Sequence, residues 1–458
     1  MNEISAGTVE RGALLLNRQI AMKNPVTASL WQKLPQKYGF TGILGILSVF
    51  LVLGVALLFN PPALTRDKVT LNVLIAAAEK TQWAPLVEEF HAKNPDIHFN
   101  ILEAPNATDA VEDLYTSAFI LGDSPYDLVY MDIVWVPKFA AAGWLVDLSD
   151  RLSQQELAEF MPEDINGGRY QGGLYRIPFT SDAGLLYYRK DLLQKAGYKP
   201  PETFNELVKI SQALQKQGAA QWGYVWQGRQ YEGLAATFVE VLHSTGGFWI
   251  NPETGEVGLD KPQGIEAVEI LLNTIESGIS PPGVTTYQEE ETRRLFQSGK
   301  AVFLRNWPYV WDLANQADSP VRGKIALKPM VHASGGASGA CLGGWGLGIS
   351  KSTKHPEEAW RAIKFFTSAD AQKKYTLDTG KMPARQALYT DAEILAKYSH
   401  FLQILKVLDN SVLRPPIPQY AQASDILQRY LSAALTKRLS PEQAMKAAAG
   451  ETRRLLGS

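Results

Sequence analysis

The chain has 458 residues, enough for two or three domains at roughly 100–200 residues each. Its 45 basic and 47 acidic side chains leave a net charge of −2, which argues against a general nucleic-acid binder. A single cysteine, Cys341, excludes an intramolecular disulfide and a thiolate zinc site, and reads as a small buried residue.

The first predicted element is a membrane segment. No charged residue occurs between Tyr38 and Thr65, and Phe40–Phe59 is almost wholly apolar. A helix of that length spans about 30 Å, the thickness of the hydrocarbon core. Upstream, Arg11, Arg18, Lys23, Lys33 and Lys37 outnumber Glu3 and Glu10, which predicts a cytoplasmic segment 1–39 and export of everything after Asn60. A cleaved signal peptide is the rival reading. The long leading segment and the lack of a small-x-small site favour an uncleaved single-pass anchor in the plasma (inner) membrane. No cysteine follows the apolar run, so a lipid anchor is not expected.

A linker, 60–68, leads into "KVTLNVLIAAA", a near-continuous apolar run that predicts a strand buried on both faces. Trp83, Leu86, Val87 and Phe90 then recur at helical spacing. Asp96–Ala104 alternates as a second strand. Val111, Leu114, Tyr115 and Ala118 mark a second helix, and Tyr126–Asp132 a third strand followed by the short helix "VPKFAAAG". Strands alternating with helices predict an open, parallel α/β sheet whose ligands bind beyond the strand C-termini. Further on, Thr203 with Glu206 forms a capping box opening the helix Glu202–Gly218. Phe248–Asp260 reads as a hairpin, and Ile265–Gly278 and Pro356–Thr367 as helices. A last helix starts at Ser440, with Pro441 in its first turn and Gln443 three residues after the cap.

Several chemistries are missing from the pattern. The histidines at 91, 98, 243, 332, 355 and 400 show no metal-ligand spacing. "SGGASGACLGGWG" lacks the GK[ST] ending of a phosphate loop, and no G-x-S-x-G elbow appears. No nucleophile is proposed, and no enzyme activity, cofactor or metal is expected. A glycosidase pair drawn from Asp132, Asp182 and Glu232 is the weaker alternative.

Four stretches carry a resemblance: "YRIPFTSDAGLLYYRKDLLQKAGYKPPETFNEL" (Tyr175–Leu207), "FQSGKAVFLRNWPYVWDL" (Phe296–Leu313), "GGWGLGISKSTKHPEEAWRAIKFFTSADAQKKY" (Gly343–Tyr375) with "GKMPAR" (Gly380–Arg385), and "RPPIPQYAQASDILQRYLSAALTKRLSPEQAMKAAA" (Arg414–Ala449). In this order they resemble the extracellular solute-binding proteins of sugar ABC transporters, the group that includes maltose- and trehalose/maltose-binding proteins. The resemblance covers roughly 69–450. It implies an α/β fold of two lobes that close on ligand like a flytrap. Lobe 1 would comprise 69–184 plus 346–405, and lobe 2 would comprise 185–345 plus 406–458. "GLLYY" (Gly184–Tyr188) and "WGLGIS" would be hinge strands.

A pyranose offers an apolar face of C–H groups and an equator of hydroxyls. Flat aromatics cover the first, and charged groups satisfy the second with charge-assisted hydrogen bonds. Matching positions make Glu79, Asp132, Trp135, Asp182, Trp226, Tyr231, Glu232, Trp307, Tyr309, Trp345 and Arg385 the candidate ligand-binding residues. Trp345 sits among glycines that would keep its ring face clear for a sugar. Simpler roles compete: Asp132 as a helix cap, Trp135 and Trp226 as core, Asp182 and Glu232 paired with arginine, Arg385 as a bridge between lobes.

The resemblance implies a monomer that captures a disaccharide or glucoside of the maltose, trehalose, sucrose or glucosylglycerol type. It would deliver that ligand to ABC permease subunits, with a separate ATPase behind them, in the periplasm or extracellular space. The alternative is a membrane-anchored sugar-sensing receptor working with a signalling partner.

Overall fold

Strand Val69–Ala76 buries Leu71, Val73, Leu74 and Ile75, as its β-branched run demands. It pairs in parallel with Ile97–Ala104, from Val69↔Ile97 to Ala76↔Ala104. The intervening helix Lys80–Lys93 turns Trp83, Leu86 and Phe90 inward. In this computed structural model the described residues are 68–408 and 410–457. The expected cytoplasmic segment, the apolar run 40–59 and nearly all of the linker lie outside them. Among the described residues no helix is long and apolar enough to cross a membrane.

The helix Thr108–Leu121 buries Val111, Tyr115 and Phe119. Leu114, expected on that face, is exposed, because the inward stripe follows every fourth residue and Leu114 falls beside it. The strand Leu128–Asp132 is wholly buried.

The first large sheet is mixed, where the local pattern predicted a parallel one. Its central strand, Ala340–Ile349, runs antiparallel to both Leu128–Asp132 and Ile177–Ala183. That strand arrives from far downstream, so no local strand–helix–strand unit dictates its direction. A second sheet has the order Ile325–Lys328, Leu185–Arg189, Ala301–Asn306, Trp222–Val225, antiparallel except for its last pair.

Each sheet organises one lobe. The chain passes from the first to the second at Gly184, the one residue between Ala183 and Leu185. It returns between Lys328 and Ala340, and passes across again ahead of the helix Tyr420–Leu435. The whole strand 340–349 pairs within the first sheet. Two buried side chains of the second lobe grip these passages. Arg305 and Glu240 pair at 2.6 Å, and Glu240 Oε1 also accepts the Cys341 backbone N–H at 3.1 Å. A Cβ on Gly184 would stand 1.7 Å from Glu240 Oε1, so the crossing requires glycine. Cys341 is buried and free.

Both capping boxes read from the sequence form: Thr203 with Glu206, and Ser440 with Gln443. The expected hairpin 248–260 reduces to one bridge between Ile250 and Val257. Its turn residues are present, but Trp249, Ile250 and Val257 pack as isolated anchors on the core rather than as alternating strands.

Candidate functional site

The strand Ala340–Ile349 has two faces with different duties. Gly343 and Trp345 share one, together with their cross-strand neighbours Asp182, Thr180 and Asp132. Trp345 lies on Tyr130 (centroids 4.8 Å apart, planes at 30°) and meets Trp135 edge-on at 5.3 Å. It stays partly exposed, whereas Tyr130 and Trp135 are buried beneath and beside it. Trp135 is therefore a support for the platform.

The opposite face of the strand carries Gly344 and Gly346, and these do not serve the ring. A Cβ on Gly344 would lie 2.7 Å from the Thr180 carbonyl oxygen and 3.2 Å from Asp164 Oδ1, and one on Gly346 would lie 2.6 Å from both Arg176 Nε and the Ile177 carbonyl oxygen. Asp164 and Arg176 are both fully buried. The glycines make room for the backbone of the neighbouring strand and for these two side chains, and Gly344 adds a φ of +122° that other residues rarely adopt. A register shift between Trp345 and Gly346 marks a bulge, a device that re-aims a side chain.

Around the platform the polar groups converge. Glu79 pairs with Lys381 at 2.6 Å and accepts the Tyr130 hydroxyl at 3.3 Å. Asp182 has no hydrogen-bond partner among the described residues, and burial pushes its carboxyl up to about 7, against the pull of Lys381. Its Cβ lies 3.2 Å from where a Gly343 Cβ would stand, and the edge of the Trp307 ring lies 3.3 Å from the same point. Gly343 thus lets Trp307, from the second lobe, close over the strand.

The second lobe adds its own aromatic group. Trp307 is covered on one side by the Arg305 guanidinium at 4.2 Å. Tyr309 donates to Glu290 at 3.1 Å. Burial, then neighbouring Glu289, push the Tyr231 phenol well above its ordinary range. Trp307 and Tyr309 both remain partly exposed.

Asp132 and Glu232 are joined by Arg414, at 3.0 and 2.7 Å. Asp132 also caps the turn Ile133–Trp135 by accepting the Val134 N–H, so the cap and the arginine pairing coexist. Glu232 accepts from Tyr420 and Ser424 as well. Burial raises its carboxyl pKa, against the pull of Arg414.

Two candidates stand apart. Trp226 is buried in the second lobe, where its indole N–H meets Thr274 at 3.1 Å and Ser280 at 3.2 Å. Arg385 pairs with Glu159, donates to Thr367 O at 2.8 Å and lies over Phe160 at 4.2 Å. These partners all belong to the first lobe, and they leave the guanidinium fixed there rather than bridging lobes. Lys381 and Arg414, which the sequence reading passed over, hold the site's carboxylates instead. Both lie inside quoted blocks, but nothing local distinguishes them from surface cations.

Residues 76–373 match the family described as bacterial extracellular solute-binding protein. A probable ABC transporter-binding protein of Deinococcus radiodurans is 33% identical over 374 residues, covering 80% of this chain and 88% of that one. The chain belongs to the bacterial extracellular solute-binding protein family. Solved members agree in fold. A maltose-bound T. maritima MalE3 is 38% identical with a TM-score of 0.81, covering 84% of this chain and all of the other. A solute-binding protein of Thermotoga lettingae bound with α-D-tagatose is 26% identical with a TM-score of 0.77, covering 85% of this chain and all of the other. The two-lobed binding-protein fold explains why this solute-binding protein divides its aromatic and charged groups between two sheets.

Proposed function

We propose that this protein is the substrate-binding component of an ABC importer for a disaccharide or glucoside. The ligand lies between the lobes, with Trp345 under a sugar face and Trp307 and Tyr309 closing from the second lobe. Glu79, Asp182 and Lys381 take hydroxyls. Asp182 carries the reading. It is a carboxylate without a donor among the described residues, beside two tryptophans and a Lys–Glu pair, and a polyhydroxyl ligand supplies the donors such a group lacks. The maltose bound by the similar T. maritima protein makes maltose the first ligand to try.

Ligand contacts from both lobes exist together only when the lobes are closed, so ligand selects the closed form. The protein binds as a monomer and performs no chemistry of its own. It hands the sugar to permease subunits, whose ATPase drives transport, while the apolar segment 40–59 holds the chain at the membrane. Lobe boundaries follow the three passages of the chain.

Intrinsic tryptophan fluorescence titrated with maltose, trehalose, sucrose and glucosylglycerol tests this. Saturable binding of one of them at micromolar concentration, lost in Trp345→Ala, is the expected result. No response to any of them, with calorimetry equally silent, overturns the reading.

A further inference from the structure

Arg414 lies in the last passage between the lobes, after the strand Ser411–Val412 and before the helix Tyr420–Leu435. It is 4% exposed. Nη1 donates to Glu232 Oε1 at 2.7 Å, and Nη2 to Asp132 Oδ1 at 3.0 Å and to Leu342 O at 3.4 Å. Asp132 ends a strand of the first lobe, Glu232 begins a helix of the second, and Leu342 lies in the strand that carries Trp345.

Each carboxylate is held by other donors too. Val134 N–H fixes Asp132. Tyr420 and Ser424 fix Glu232, and the Glu232 backbone N–H reaches back to Asp109 of the first lobe at 3.2 Å. A planar guanidinium in its fixed fork satisfies two such carboxylates only at one separation of the bodies that carry them. Opening the lobes would strip a buried charge of one partner, at a cost that water cannot readily offset inside the seam.

We propose that Arg414 is a positioning residue that clasps the lobes closed. Its grip sets the fraction of ligand-free protein already closed, and through that fraction the apparent sugar affinity, since apparent Kd equals intrinsic Kd divided by the competent fraction. The affinity arm of this proposal rests on the sugar-binding reading above. The conformational arm does not.

Full-length protein labelled at Glu88→Cys and Glu276→Cys, exposed positions of the two lobes, reports closure by single-molecule energy transfer; native Cys341 is buried. The expected result is a closed population without ligand that disappears in Arg414→Met and is partly restored in Arg414→Lys. Kd for maltose rises about tenfold in Arg414→Met, by loss of the closed fraction. Asp132→Asn, which keeps a capping side chain but not the charge, shifts the distribution the same way and decides the matter if Arg414→Met does not fold. An unchanged ligand-free distribution overturns the proposal. So does a weaker Kd with an unchanged distribution, which would make Arg414 a direct ligand contact. If wild-type protein ignores maltose and the other sugars, the transport reading fails, and the ligand-free distribution still decides the clasp.

Discussion

Arg176 fills the space beside Gly346 that a side chain there would need: a Cβ on Gly346 would stand 2.6 Å from Arg176 Nε and 2.6 Å from the Ile177 carbonyl oxygen. The backbone oxygen cannot swing away as a side-chain tip could. Gly346→Ala is therefore expected to destabilise the protein by about 1–3 kcal/mol, the usual cost of overpacking. Gly450→Ala is the control. It lies in the helix Pro441–Leu456 with nothing within 4 Å of the added carbon, and it should raise stability by a few tenths to ~1 kcal/mol. Denaturant unfolding of both variants checks the pair.

Trp345→Ala removes a platform that rests on Tyr130 and Trp135. Sugar affinity should fall by at least about tenfold, with Trp345→Phe intermediate because some flat apolar area remains. Trp226→Phe should leave affinity near wild type and lower stability instead, since its indole N–H serves Thr274 and Ser280. Calorimetric titration beside thermal unfolding separates the two effects.

With Asp182 as a ligand contact, sugar binding is expected to depend on pH. The Asp182 carboxyl is pushed up to about 7 by burial, so at pH 6 it is largely protonated. Hydroxyl donors favour the ionised form, so binding lowers its pKa and releases a proton. Affinity should rise between pH 6 and pH 8, and Asp182→Asn should weaken binding and flatten the profile. An affinity that falls over this range would contradict the assignment.

Asp164 acts on stability. Burial pushes its carboxyl up to about 7 from 3.8, despite Arg176 nearby. Between about pH 4 and pH 7 the folded state holds a proton that the unfolded state has released. Stability therefore falls as pH rises through that window and levels off above it. Glu112, also pushed up to about 7 by burial, adds in the same direction. The melting temperature at pH 5 should exceed that at pH 8 by roughly 2–4 °C. Asp164→Asn should reduce the slope, and should lower stability mainly above about pH 7, where Arg176 loses the counter-charge of an ionised Asp164.

Much of this protein was determined locally. The runs 69–76 and 97–104 and the helix between them follow from apolar spacing, and the caps at Thr203 and Ser440 follow from residues three apart. Such features need only neighbours in the chain, so the sequence contains them whole. The aromatic and acidic residues of the proposed binding face were also picked out, because Trp345, Trp307 and Asp182 sit in blocks whose order is itself a pattern. Tertiary structure decided the rest. Arg414 meets Glu232 and Asp132 across 182 and 282 residues, and Lys381 meets Glu79 across most of the fold. Trp226 and Arg385 look like site residues until the core and Glu159 claim them. The glycines around Trp345 gave the clearest lesson. Their composition suggested a cleared ring face, but what requires Gly344 and Gly346 lies behind the strand: the Thr180 and Ile177 carbonyl oxygens of the neighbouring strand, with a buried aspartate and arginine. Which side chain fills the space beside a glycine is a property of packing between distant segments, and no local pattern encodes it.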